Sequence, residues 1–194
     1  MRRHIIISGT GRAGTTFLVQ LLTRLGLETG YSWPTPAVDP ICLAGLEHDL
    51  REPDAPYICK HPAMCEYLPS LLDSGEVVVD HAIIPMRDLR DAATSRRRVQ
   101  RLNDTATDVA GGLVGTTILG RQEQVLAVRF YDLVFGLVRH GVPITFIEFP
   151  RSVEDSVYLL ERLRTVAGLL AEITPEQFAT AFADASRPEQ VHFR

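Results

Sequence analysis

The fold is decided by one stretch near the start of the chain, His4-Ile-Ile-Ile-Ser-Gly-Thr-Gly-Arg-Ala-Gly-Thr-Thr-Phe-Leu-Val-Gln-Leu-Leu22. Its consecutive isoleucines are typical of a buried strand, and a glycine-rich turn at residues 9–14 follows them. Thr15 then begins a helix whose apolar residues recur at helical spacing, and Gly26 ends it. A strand, a glycine turn and a helix start direct free backbone N–H groups and the positive end of the helix dipole toward an anion. This stretch therefore predicts a site for a phosphate or sulfate group.

Two general nucleotide-binding patterns fit parts of this stretch. Gly9, Gly14 and Thr16 match the loop of nucleoside triphosphatases. However, Thr15 stands where that loop has its lysine, which weakens ordinary ATP chemistry. Gly9, Gly11 and Gly14 match the dinucleotide fingerprint, which also needs an acidic residue at the end of a second strand about 20 positions on. The sequence there is Gly-Tyr-Ser-Trp-Pro-Thr-Pro, which is unsuited to a central strand.

A third pattern fits better. Residues 11–18, Gly-Arg-Ala-Gly-Thr-Thr-Phe-Leu, resemble the 5′-phosphosulfate loop of sulfotransferases that use 3′-phosphoadenosine-5′-phosphosulfate (PAPS). In that family a basic residue, a small residue and Gly-Thr-Thr precede an aromatic or aliphatic residue. Arg12 stands where many members carry lysine and others carry arginine. The resemblance implies that PAPS is bound by a continuous run of residues, Gly11, Arg12, Ala13, Gly14, Thr15, Thr16 and Phe17.

A second stretch resembles the 3′-phosphate motif of the same family. It reads Ile83-Ile-Pro-Met-Arg-Asp-Leu-Arg-Asp-Ala-Ala-Thr-Ser95, in which a strand ends at Arg87 and a helix follows. Ser95 follows Arg87 by eight positions. An arginine at the carboxyl end of a strand can fork onto a phosphate, and a serine two helical turns along can reach a second oxygen. The resemblance implies that Arg87 and Ser95 hold the 3′-phosphate of PAPS and of its desulfated product, PAP.

Candidate catalytic residues follow from the same resemblance. Lys60 matches the lysine that many members place at the end of the second strand, and with Arg12 it would stabilise the sulfuryl oxygens or the leaving group. Two residues remain open as the base for the acceptor: His61, next to Lys60, and Glu28, just after the first helix. The C-terminal Arg-Lys-Gly that cytosolic members use on the 3′-phosphate is missing, and arginines such as Arg187 remain there. No metal is expected.

The rest of the chain predicts an α/β domain. Three further strands are predicted, at residues 57–60, 77–86 and 143–149. Strands that alternate with helices favour a mostly parallel sheet covered on both faces. We expect one three-layer α/β/α domain over residues 1–194, with the P-loop-like sulfotransferase architecture that the resemblance implies. Because the glycine turn, Lys60 and Arg87 each follow a strand, we expect them to meet at one edge of the sheet.

Several local features are also predicted. Residues 43–50 are expected to form a short helix. Ser152 and Asp155 resemble a capping box that begins a helix, and Thr174 begins another with a second capping box. Residues 103–120 are polar and rich in glycine and threonine, which predicts a mobile segment or lid.

Composition excludes several classes of protein. The chain has 194 residues with 45% hydrophobic content and a formal charge of −4, which does not suggest a nucleic-acid-binding protein. No apolar run approaches the roughly 20 residues of a membrane span. Three cysteines, an odd number, indicate reduced thiols and a cytoplasmic location. All basic residues except Lys60 are arginines, a bias that suggests a bacterial genome rich in G and C.

Together these features predict a PAPS-dependent sulfotransferase that moves a sulfuryl group to a hydroxyl or amine of a small-molecule or carbohydrate acceptor. Two alternatives remain open. A P-loop nucleotide kinase-like phosphotransferase would turn over ATP with magnesium. A nucleotide-binding protein without chemistry would bind PAP and PAPS alike and transfer nothing. The acceptor and the oligomeric state are not indicated by the sequence.

Overall fold

A parallel sheet lies at the centre of the computed structural model, which describes residues 1–102, 109 and 111–191. Within these residues the sheet has four strands, β1 (Arg2–Ile7), β2 (Ile58–Lys60), β3 (Val77–Met86) and β4 (Ile144–Glu148). Their order is β2-β1-β3-β4, and every neighbouring pair is parallel. The predicted α/β class and parallel sheet are confirmed, as are the positions of the predicted strands.

Seven α-helices connect or follow the strands in the described part of the chain. They are α1 (Thr15–Arg24), α2 (Met64–Ser74), α3 (Leu89–Leu102), α4 (Gln122–Arg139), α5 (Arg151–Glu154), α6 (Ser156–Arg164) and α7 (Pro175–Ala185). None of these helices is long and apolar enough to cross a membrane.

The helices cover both faces of the sheet, as the handedness of parallel connections requires. Crossovers between parallel strands are right-handed, so helices that lead to opposite sides of a strand lie on opposite faces. α1 leads from β1 to β2 in one direction, whereas α2 and α4 lead back toward β3 and β4. Accordingly, Ile5 and Ile7 of β1 pack in one buried cluster with α1, α6 and α7, and Ile6 packs in another with α2 and α4. These two clusters form the interior of a three-layer arrangement.

The strand order also determines where a ligand can enter. From β1 the chain moves to β2 on one side and then returns past β1 to β3, so the order reverses at β1. Ligands of open α/β sheets bind outside the carboxyl ends of the strands at such a reversal. Ile7 is paired with Lys60 of β2 and with Ile83 of β3. The glycine turn, Lys60 and Arg87 therefore leave the sheet at the same edge.

The predicted short helix at residues 43–50 is wrong. This segment is irregular, and Leu43 and Leu46 have positive φ angles of 50° and 60° that a right-handed helix cannot contain. Carbonyl groups that would accept intrahelical hydrogen bonds are bonded to side chains instead. Arg12 donates to the carbonyl of Cys42, and Lys60 donates to that of Gly45.

The two predicted capping boxes have different outcomes. Ser152 does not begin a long helix; it is buried inside the single-turn helix α5. Asp155 instead caps α6 by accepting a hydrogen bond from the Tyr158 backbone at 2.9 Å, because its extended backbone conformation ends α5 there. The capping box at Thr174 is confirmed, with Gln177 bonding back to the Thr174 backbone and proline at the first helical position.

The predicted lid at residues 103–120 lies partly outside the described residues, which omit 103–108 and 110. Its described part is held by polar side chains of α3 and α4. Gln100 accepts a hydrogen bond from Leu113, and the buried Gln122 bonds to both backbone groups of Val114. Leu113 and Val114 are therefore held against α3 and α4.

Candidate functional site

The turn at residues 9–14, here called the glycine loop, joins β1 to α1. Gly11, Arg12 and Gly14 have φ angles of 69°, 58° and 78°, a left-handed conformation that turns successive N–H groups toward one side. No side chain caps the first turn of α1 at Gly14. A Cβ at Gly11 would collide with the guanidinium of Arg96, and one at Gly14 would lie 2.9 Å from the Phe149 ring. The loop therefore needs glycine at both positions, and its free N–H groups can bind an anion.

The two stretches that resemble PAPS motifs touch each other. The Arg12 Nε donates to Ser95 Oγ at 3.0 Å, and a terminal guanidinium nitrogen of Arg87 donates to the Arg12 carbonyl at 3.1 Å. The Arg87 guanidinium also lies 5.1 Å from the centre of the Phe149 ring. Burial lowers the pKa of both arginines, but both stay protonated at neutral pH. The structure thus places two cations and a serine hydroxyl beside the glycine loop.

Lys60 completes this group of cations from the neighbouring strand. Its side chain is only 2% exposed, and its Nζ donates to the Gly45 carbonyl and to Glu47 Oε1, both at 2.8 Å. The Thr16 hydroxyl lies 3.5 Å from the same nitrogen. Burial lowers the pKa of Lys60, and the Glu47 carboxylate opposes that shift. An ammonium therefore lies at the start of α1, where the loop sequence itself has no lysine.

These residues line one cavity of about 360 Å³, here called the front cavity. Nine of the predicted site residues line it: Gly11, Arg12, Gly14, Thr15, Thr16, Phe17, Lys60, Arg87 and Ser95. Arg187, at the end of α7, also lines it, together with Trp33. Ala13 does not; it is buried with 1% exposure beneath the loop.

The two predicted bases lie elsewhere. The ring of His61 packs 5.9 Å from that of Tyr67, and its Nδ1 accepts a hydrogen bond from Ala63 at the start of α2, so it does not line the front cavity. Glu28 is exposed beyond the end of α1, where its carbonyl accepts a bond from Ile58 at the first residue of β2. The ten residues of α1 separate it from the glycine loop by about 15 Å. The structure brings neither residue to the cations.

Glu47 and Arg96 are two lining residues that the sequence did not single out for this site. Glu47 is the carboxylate paired with Lys60 in the front cavity, with 38% of its side chain exposed. Its only signal in the sequence is that a buried lysine needs an acidic partner, and several acidic residues precede Lys60. Arg96 follows Ser95 on α3 in a run of arginines typical of a solvated helix face, but it is 7% exposed. No pattern in the sequence around Arg96 predicts that this side chain is buried.

Residues 39–47, here called the strap, lie across the cations. Asp39 fixes the start of the strap by accepting hydrogen bonds from the Ile41 and Cys42 backbones. The carbonyls of Cys42 and Gly45 then accept hydrogen bonds from Arg12 and Lys60. The cations of the front cavity are therefore partly occupied by backbone oxygens.

No protein-family model matches the chain, and no curated protein matches it either. The resemblance to sulfotransferases therefore depends on the two short stretches of sequence alone. Among the described residues, no three His, Cys, Asp or Glu side chains gather as a set of metal ligands.

Proposed function

We propose that the chain is a PAPS-dependent sulfotransferase of P-loop-like architecture, which transfers a sulfuryl group to a hydroxyl or amine. The observation that carries this proposal is the contact between Arg12 of the glycine loop and Ser95 of α3, with Arg87 bonded to the same loop residue. A nucleotide that carries both a 5′-phosphate and a 3′-phosphate needs two cationic sites held next to each other, as the hydrogen bonds of Arg12 to Ser95 and of Arg87 to Arg12 hold them here. A mononucleotide would need only one.

The residues of the front cavity divide between the two ends of this ligand. The loop amides, Arg12, Thr15 and Thr16 would bind the 5′-phosphosulfate at the start of α1. Arg87 and Ser95 would bind the 3′-phosphate. Lys60 lies near Thr16, where its charge would stabilise the oxygen that leaves with the 5′-phosphate.

Glu47 is the base that the geometry favours. In the reaction the acceptor oxygen or nitrogen attacks sulfur, and the bond from sulfur to the 5′-phosphate oxygen breaks with its electron pair on that oxygen. The acceptor's proton must pass to a base within the cavity. The Glu47 carboxylate lines the cavity 2.8 Å from the Lys60 ammonium, so it can take this proton while Lys60 faces the leaving oxygen. We therefore place Glu47 in the role predicted for His61 or Glu28.

Binding of PAP and AMP tests the nucleotide assignment without an acceptor. PAP should raise the melting temperature more than AMP, with no magnesium added, because it fills both phosphate sites. At 100 times its dissociation constant a ligand adds about 2.7 kcal/mol to the free energy of unfolding. Equal shifts from the two nucleotides would reject the 3′-phosphate site. Magnesium-dependent turnover of ATP would instead support the phosphotransferase alternative.

Turnover of PAPS with a panel of phenols, alcohols and amines tests the chemistry. Lys60→Met should lower PAP release far more than it weakens PAP binding, because the ammonium acts on charge that develops in the transition state. Lys60→Arg should not restore the full rate, since a planar guanidinium does not replace a compact ammonium. If wild-type protein binds PAPS but transfers nothing to any acceptor, the non-catalytic alternative is favoured.

A further inference from the structure

A second cavity lies on the other side of the glycine loop, on the face of the sheet that carries α2 and α4. It has a volume of about 310 Å³ and is here called the rear cavity. Its polar walls come from separate elements: Thr10 of the glycine loop, Cys65 of α2, Arg96 of α3 and Arg129 of α4. The function proposed above makes no use of this cavity.

Arg96 is the feature of the rear cavity that requires an explanation. It is 7% exposed, and its two terminal nitrogens donate to the carbonyls of Thr10 at 2.8 Å and Gly112 at 2.7 Å. Its Nε–H, which is also buried, has no hydrogen-bond partner among the described residues. A buried donor without a partner is costly, and in a charged group the cost is higher. The site is therefore incomplete as it stands.

The charges around Arg96 increase this cost. Burial above all, together with the nearby cations Arg12 and Arg129, lowers the pKa of Arg96 to about 10. No carboxylate of the described residues pairs with it. Arg129 has its own partner, the half-exposed Glu66. A bound anion would supply the counter-charge that Arg96 lacks.

A helix end opens onto the same cavity. α2 has eleven residues, and its N-cap Ala63, which lines the rear cavity, provides no side-chain hydrogen bond. Ala63 and Cys65 at the start of α2 line the cavity, so the positive end of the helix dipole lies beside Arg96. Cys65, in that first turn, does not repel an anion, because burial raises the pKa of its thiol and keeps it neutral.

We propose that the rear cavity is a second anion site, which binds one small oxyanion such as sulfate, phosphate or the charged end of a monoester. The anion accepts hydrogen bonds from Arg96 and from the first turn of α2, and Arg129 adds a second positive charge. This site does not depend on the proposed sulfotransferase activity: Arg96 also lines the front cavity, but neither Arg96 nor Arg129 is assigned to PAPS.

Titration with inorganic sulfate at low ionic strength tests the proposal. The wild-type chain should bind one sulfate in the rear cavity besides those that the glycine loop and Arg87 bind in the front cavity. Arg129→Gln should weaken the rear sulfate by about tenfold or more, the scale of a lost charge-assisted contact, and leave PAP binding unchanged. Arg87→Gln is the matched variant for the front cavity and should leave the rear sulfate unchanged. Arg129 is a safer target than Arg96, because Glu66 is half exposed and can be hydrated when its partner is lost.

Alkylation of Cys65 measures sulfate binding in the rear cavity directly. Bound sulfate should slow alkylation of Cys65, which is partly exposed, and this protection should persist in Arg87→Gln and disappear in Arg129→Gln. Cys59 is the internal control, because it is buried away from the cavity. Phenyl phosphate compared with inorganic phosphate distinguishes the source of the anion: equal protection indicates a group on a larger molecule, and protection by inorganic phosphate alone indicates a free ion.

Two results would overturn the proposal. One is that no sulfate bound by the wild-type chain is weakened in Arg129→Gln. The other is that sulfate does not protect Cys65, or protects it equally in wild-type protein and in Arg129→Gln. Either result could occur whether or not PAP binds in the front cavity, so failure here is distinct from failure of the proposed function.

Discussion

The ion pair between Lys60 and Glu47 gives a quantitative prediction, because Lys60 is the only lysine of the chain. Two causes act on its pKa in opposite directions: burial lowers it and the Glu47 carboxylate raises it. Glu47→Gln removes the carboxylate charge and keeps the side-chain volume. Burial is then less opposed, so the pKa of Lys60 falls and more of the lysine is free amine at any pH below that value.

The size of the change follows from the geometry of the pair. Opposite charges about 4 Å apart interact by about 1 kcal/mol in bulk water and about 4 kcal/mol near a protein surface. Since 38% of the Glu47 side chain is exposed, the lower value applies, in line with exposed pairs that contribute roughly 0.2–1 kcal/mol. A change of about 1 kcal/mol raises the free-amine fraction about fivefold.

Acetylation with acetic anhydride measures this fraction. Lys60 and the α-amino group are the only amines, and mass spectrometry separates the two, so the α-amino group is an internal standard. Lys60 in Glu47→Gln should react about fivefold faster than in wild-type protein at the same pH. Glu52→Gln, on the same irregular segment but without a bond to Lys60, is the matched control and should react at the wild-type rate. An unchanged or slower reaction in Glu47→Gln would refute the assigned pairing.

Three further outcomes are expected. Arg87→Ala should weaken PAP binding by about 1.5–3 kcal/mol in calorimetry and leave AMP binding nearly unchanged. Arg90→Ala, at an exposed position, is the control and should change neither affinity. Equal losses of PAP and AMP affinity in Arg87→Ala would mean that Arg87 has a structural role. Gly14→Ala should lower the free energy of unfolding by more than Gly75→Ala in urea titrations, because both have positive φ but only Gly14 faces a ring at 2.9 Å. Asp49 has its pKa lowered from 3.8 to about 2 mainly by hydrogen bonds from a neighbouring arginine. Its stabilising effect is therefore complete above its unfolded pKa and lost as the pH falls toward 2, so Asp49→Asn should lose less stability than wild-type protein over that window; an equal loss would contradict this.

Much of the architecture could be predicted because its causes are local. Residues 2–7 form a strand since isoleucines repeat there, and the helix after Thr15 follows from the spacing of its apolar residues. The capping box at Thr174 needs only residues within one helical turn. The parallel sheet then follows from the alternation of strands and helices, and its strand ends gather the glycine loop, Lys60 and Arg87 at one edge.

The predicted helix at residues 43–50 is wrong because distant partners shape that segment. Residues 43–50 have the composition of a short helix, but the carbonyls of Cys42 and Gly45 are bonded by Arg12 of the glycine loop and by Lys60 of β2. Glu28 and His61 are close to motif residues along the chain. The length of α1 carries the first away from the loop, and the start of α2 turns the second aside.

The sequence by itself determined the strand-loop-helix unit, the class of fold and the edge of the sheet at which its cations meet. Hydrophobic periodicity, glycine content and the alternation of strands with helices are all readable over short stretches of the chain. Only the tertiary structure decided that Glu47 pairs with Lys60, that Arg12 bonds to Ser95 and that Arg96 is buried behind the loop. Each of these depends on how far apart two elements lie after packing. A side chain's charge is visible in the sequence. Its burial and its partner depend on how elements distant in the sequence pack against each other.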